Sequence, residues 1–134
     1  MVDLLSNRII TEKEAKKLYR MDKEDLVIAS TNTEVNRWNK MLEKQAKAGE
    51  YKVKYNKNTK NFVNNQRLIL HQGVGACQEM AFASTVHVVQ GLTFPDRLFI
   101  SLSILQKNNN FDTHLFYTAV SRVKSLDQLY LVSV

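Results

Sequence analysis

The sequence predicts an α/β domain, a mainly parallel sheet flanked by helices, and three observations predict it. Asp25 to Ser30 is a short apolar run of the kind that is buried on both faces of a parallel sheet. A polar turn leads from it into an amphipathic helix, which together make half of a βαβ unit. Ala83 to Val123 then holds a strand-like run with a small-residue turn, a second apolar run from Leu98 to Leu105, and an apolar, helix-compatible segment that ends on one arginine.

Bulk properties fit that class. A chain of 134 residues makes one domain and buries a real core. The net charge of +6 favours a polyanionic partner such as nucleic acid, although many basic domains bind none. A single cysteine, Cys77, excludes an internal disulfide and suits a reducing, intracellular setting. No run approaches a membrane span and no apolar signal segment opens the chain, so no membrane partner is expected. No spacing of His, Cys, Asp and Glu suggests a metal site.

Taken in order, residues 1–23 read as a lead-in helix and residues 24–134 as the domain proper. Thr11-Glu12-Lys13-Glu14 is a capping box that starts a short charged helix to about Arg20, whose charges make a solvated face. Asp25 to Ser30 is the first predicted strand. Thr31-Asn32-Thr33-Glu34 is a second capping box, and Val35, Trp38, Leu42 and Ala46 form one apolar stripe on the helix that follows. That helix ends before Gly49. Its N-terminus is either a plain cap or an anion site, since unpaired N–H groups there can hold phosphate; spacing alone favours the plain cap.

Tyr51 to Tyr55 alternates as a half-exposed strand, Asn56 to Asn65 is a loop, and Arg67 to Leu70 is a further strand. Lys52, Lys54, Lys57 and Lys60 interleave with Tyr51, Tyr55 and Phe62, a pattern that fits either contact with a single nucleic-acid strand or a solvated hairpin. Gln72-Gly73-Val74-Gly75 is a turn, because a dinucleotide-binding fingerprint needs a third glycine and a strand–helix context. Gln78 to Ala83 leads in as one strand, and Ser125 to Val132 turns into the last.

Two blocks carry chemistry. In Ser84 to Phe94, Thr85 offers a hydroxyl at a strand end, His87 can reach the same side, Gln90 brings a two-way amide, and Gly91 lets the backbone approach a ligand closely. His87 alone reads as a satisfied, partly buried histidine; the whole block Thr-x-His-x-x-Gln-Gly-x-Thr reads as more than that. In Phe116 to Val123, Arg122 stands near the end of an apolar helical stripe. Its always-charged planar fork suits a γ-phosphate, and equally an ion pair at a helix C-terminus.

These two blocks resemble the fifth and sixth signature motifs of superfamily 1 helicases, Pif-type above all. Tyr117 to Leu131 is similar to the sixth motif with its following strand, and Thr85 to Phe94 to the fifth. Ile28 to Asn32 with Asn36 and Asn39 resembles the opening of the second motor domain in RecD- and Pif-type helicases. The resemblance covers roughly residues 24–134 and implies the second RecA-like domain, a three-layer sheet flanked by helices. It implies Arg122 as an arginine finger, Gln90 and Gly91 as the coupling between nucleotide and strand, and Thr31, Asn32, Thr85 and His87 as strand contacts. The implied cofactors are ATP and Mg²⁺; the implied partners are a first RecA-like domain and single-stranded nucleic acid, DNA in preference to RNA. A small β-barrel insertion often occupies the interval near residues 50–80 in that family; here the interval is short, so the insertion is reduced or absent. One departure matters: no Gly-x-x-x-x-Gly-Lys-Ser/Thr loop occurs in this sequence, so ATP and Mg²⁺ are expected on the other domain and this chain alone is expected to be inactive. The alternative is a stand-alone single-strand-binding module derived from a helicase.

Overall fold

The computed structural model describes residues 8–29, 31–60, 67–85, 96–102 and 125–133. A five-stranded parallel sheet is its centre, as the apolar runs predict. In chain order its strands are β1 (Ile9–Ile10), β2 (Leu26–Ala29), β6 (Ala83–Thr85), β7 (Leu98–Ser101) and β8 (Leu129–Val132). In space they run β1-β8-β7-β2-β6. Both faces of β2 and β7 are buried along their whole length, as befits the middle layer of a three-layer fold.

Two described helices pack on this sheet. The first, α1 (Glu12–Leu18), starts with the predicted capping box: Glu14 N donates to Thr11 Oγ1 at 3.1 Å and Thr11 N donates to Glu14 Oε1 at 3.3 Å. The second, α2 (Asn32–Gln45), is capped by Thr31, whose Oγ1 accepts from Glu34 N at 3.2 Å. Val35, Trp38 and Leu42 are buried as the stripe predicts. A helix of this length is marginal alone, so its apolar face must hold it. Trp38 and Leu42 join Val27, Ala29, Phe82 and Phe99 in one core, in which burying a side chain the size of valine, leucine or phenylalanine contributes roughly 1.5–3 kcal/mol. An Arg37–Glu12 ion pair at 2.8 Å links α2 to α1 across the surface.

The lead-in segment belongs to the sheet. Ile9 and Ile10 pair in parallel with Leu131 and Val132. Arg8 fastens this edge, its Nε donating to Leu129 O at 2.9 Å with the guanidinium over the Tyr130 ring.

Residues 51–80 build a second, antiparallel sheet: β3 (Tyr51–Tyr55), β4 (Arg67–His71) and β5 (Gln78–Met80), in the order β4-β3-β5. The predicted strand from Gln78 to Ala83 therefore divides. Its first half pairs with β3, its second half pairs with β2, and the buried Ala81 and Phe82 make the crossing. The register slips between Tyr51 and Val53, where three steps of β4 face two of β3. Leu70, at φ 56°, absorbs the extra residue as a bulge.

Lys52 corrects the sequence expectation. It is fully buried, and its Nζ donates to Arg20 O at 2.8 Å and Asp25 O at 3.0 Å, lying 4.1 Å from the Tyr19 ring centre. Burial, reinforced by the Arg67 guanidinium, lowers its pKa to about 6. A strand of nucleic acid cannot reach it. Its work is structural: the Asp25 carbonyl also accepts from Tyr19 Oη at 2.7 Å and from Arg67 at 2.7 Å, and so ties the small sheet to the start of β2. Burial pushes the Tyr19 hydroxyl well above the usual phenol range, so it stays a donor.

Candidate functional site

The parallel register lines up three strand ends. Ala29 pairs with Thr85 on one side of β2, and Ile28 pairs with Ile100, one residue before Ser101, on the other. Thr85, Ala29 and Ser101 therefore stand abreast at the carboxyl edge of the sheet. Open α/β sheets bind ligands at that edge. Thr31 and Asn32 follow directly from the end of β2, so the start of α2 stands over the same edge.

Thr31 is extended, with φ −129° and ψ 156°, which turns its hydroxyl back onto the helix as a cap. The oxygen accepts from Glu34 N, while the hydroxyl proton can still be donated. Asn32, the first helical residue, is exposed, and the N–H groups that open a helix have no carbonyl partner within it. Glu34 brings a counter-charge: its carboxylate accepts from the hydroxyl of Ser101, which is itself buried at the end of β7. That bond bridges α2 to β7 over the end of β2.

Of the residues singled out in the sequence, the structure brings together Thr31, Asn32 and Thr85. His87, Gln90, Gly91 and Arg122 lie outside the described residues. Two participants were missed. Ser101 gave no signal of its own, since it lies inside the apolar run from Leu98 to Leu105. Asn39 was read only as part of a family pattern, yet its Oδ1 accepts from Ala83 N at 2.9 Å and its Nδ2 donates to Met80 O at 3.3 Å. It thereby fixes the crossing between the two sheets and the approach to Thr85. Its signal was its spacing, since Val35, Asn39 and Leu42 share one face of α2. Among the described residues, no cluster of three or more His, Cys, Asp or Glu could hold a metal ion, and no helix is long and apolar enough to cross a membrane.

No family model and no curated protein matches this chain. Solved structures do. A structure described as DNA unwinding at forked double-stranded DNA by two coordinating Pif1 helicases matches with a TM-score of 0.63 at 15% identity, over 97% of this chain and 42% of that one. Pif1 from Bacteroides sp in complex with ADP-AlF4 matches with a TM-score of 0.58 at 15% identity, over 96% of this chain and 44% of that one. The fold is that of part of a Pif1 helicase. A double mutant of the Bacteroides Pif1 helicase agrees, with a TM-score of 0.56 at 18% identity over 97% of this chain. The chain spans less than half the length of these Pif1 structures.

Proposed function

We propose that this chain is the C-terminal motor domain of an ATP-dependent superfamily 1 helicase, and that it grips a single nucleic-acid strand, DNA in preference to RNA, at the carboxyl edge of its parallel sheet. The observation that carries this reading is the register of β2 and β6, which sets Thr85 beside Ala29, two residues before Thr31. A hydroxyl donor, an amide and free backbone N–H groups then converge from two elements that pack as one body. His87 completes the grip. Gln90 and Gly91 relay the state of the nucleotide to the strand, and Arg122 is the finger that meets the γ-phosphate.

The sequence has no phosphate loop, so ATP and Mg²⁺ would sit on a first RecA-like domain, and this chain supplies a charge and a grip. Bound ATP provides the phosphoryl group whose transfer drives the cycle. Arg122 stabilises the charge that spreads over it as the two lobes close. Closure carries Thr31, Asn32 and Thr85 with their strand phosphates, one step per cycle. The second reading, a single-strand binder with no motor, draws on the same net charge of +6 and the same missing loop.

Fluorescence anisotropy with labelled single strands tests the grip. The 134-residue chain is expected to bind weakly and without sequence preference. For Z phosphates neutralised, log affinity should fall against log salt with a slope of about −0.7Z, and Z should be small for half a channel. Thr31→Ala with Thr85→Val should weaken binding to every sequence alike, by about tenfold. Unchanged affinity in that double variant would remove the strand ends from the interface.

A further inference from the structure

A cleft of about 590 Å³ opens beside this edge, between the exposed side of α2 and β5 of the small sheet. Val35 and Met80 supply its apolar lining. Along one wall stand Asn32 and Asn36, both exposed and one helical turn apart, about 6 Å along the axis. The charges at its rim cancel. Lys54 is paired with Glu79 at 3.3 Å, and Lys40 and Glu43 add one charge of each sign.

A cleft of this make-up is poorly suited to phosphate. Phosphate grips are built from net positive charge and backbone N–H groups. An apolar lining with side-chain amides on one wall is instead a slot for a flat, neutral, hydrogen-bonding group. An amide presents a donor and an acceptor side by side, which matches the edge of a nucleobase and adenine best of all. Asn32 belongs both to the proposed phosphate grip and to the mouth of the cleft, so a base entering here would hang from a phosphate held at the strand ends. Asn39, committed to Ala83 and Met80, holds the back of the cleft open by fixing β5 to α2.

We propose that the cleft between α2 and β5 receives one base of the bound strand, with Val35 and Met80 beneath it and Asn36 reading its edge. This rests on the single-strand grip proposed above and adds a neutral, base-dependent part to it. It predicts two components of affinity with different salt behaviour: the phosphate part weakens as salt rises, and the base part does not, because a neutral contact releases no counterion.

The test compares an oligodeoxyadenosine with a strand of equal length in which every base is replaced by an abasic site, both titrated with the 134-residue chain across a range of salt. The base-bearing strand is expected to bind about tenfold more tightly, of the order measured for single base contacts. That ratio should hold while both affinities fall with salt. Asn36→Ala, at an exposed helix position that does not disturb the core, should erase most of the ratio, and Asn36→Gln should restore part of it. Thr31→Ala should weaken both strands alike. Equal binding of the two strands by the wild-type chain, or a ratio untouched by Asn36→Ala, overturns the base slot while leaving the phosphate grip standing. Failure of both strands to bind at low salt overturns the slot and the grip together.

Discussion

Replacing Arg122 with alanine in the complete two-domain protein is expected to lower nucleic-acid-stimulated ATP turnover by about 10³- to 10⁵-fold, the range of arginine fingers in related phosphoryl transfers. The guanidinium acts only where charge spreads over the transferring group, so the loss falls on the transition state rather than on substrate binding. Arg122→Lys should fail nearly as badly, because an ammonium is a point charge and does not reproduce the planar fork. Strand affinity without nucleotide should persist, since that grip is assigned to Thr31, Asn32, Thr85 and His87. The competing role, an ion pair at a helix C-terminus, makes the opposite prediction: a lower melting temperature and a nearly normal rate per folded molecule. Melting temperature, strand affinity and turnover measured on one preparation separate the two, and near-normal turnover removes Arg122 from catalysis.

The largest expected effect on stability lies at Trp38. Its side chain is 1% exposed and packs with the core that joins α2 to the sheet. Trp38→Ala should cost about 3–5 kcal/mol by lost burial and an unfilled cavity. Against a total of about 5–15 kcal/mol for a domain, that is a large share. Trp38→Phe should cost clearly less, and for a specific reason: Trp38 Nε1 is buried with no hydrogen-bond partner among the described residues, so phenylalanine gives up packing but none of the described bonds. Because Trp38 seats α2, and α2 presents Thr31 and Asn32, the alanine variant should also bind single strands more weakly even where it remains folded. Denaturant unfolding checks both variants. A midpoint unmoved by Trp38→Ala would mean that α2 does not lie on the sheet as described.

Some of this architecture is written locally and some is not. Leu26 to Ala29 was legible because a central parallel strand must be apolar on both faces. Thr31 was legible because a helix cap has its own short signature. Ile9 and Ile10 were not, since two residues carry no period and their partners, Leu131 and Val132, are distant in the chain. Lys52 was misjudged because alternation hides a bulge: the slip at Leu70 leaves Lys52 and Val53 both buried, and the carbonyls that receive its Nζ come from Arg20 and Asp25. At the site, Thr31, Asn32 and Thr85 could be named from residue pattern, but their juxtaposition comes from strand register. The Glu34–Ser101 bond joins residues 67 apart and leaves no trace in either neighbourhood. The single predicted strand from Gln78 to Ala83 divides at Ala81 and Phe82, whose burial makes one apolar stretch of two strands in different sheets.

The central claim is that a single strand lies across the carboxyl edge of the parallel sheet. Backbone amide NMR of the 134-residue chain, titrated with a short single-stranded oligonucleotide at low salt, addresses it residue by residue. The expected result is a contiguous set of shifted signals at Thr31, Asn32, Thr33, Glu34, Thr85 and Ser101, extending to Asn36, with the Tyr19–Asp25–Lys52 cluster at the opposite end of β2 unmoved. Shifts confined to the small antiparallel sheet around Tyr51 to Tyr55, with the strand ends silent, would contradict it.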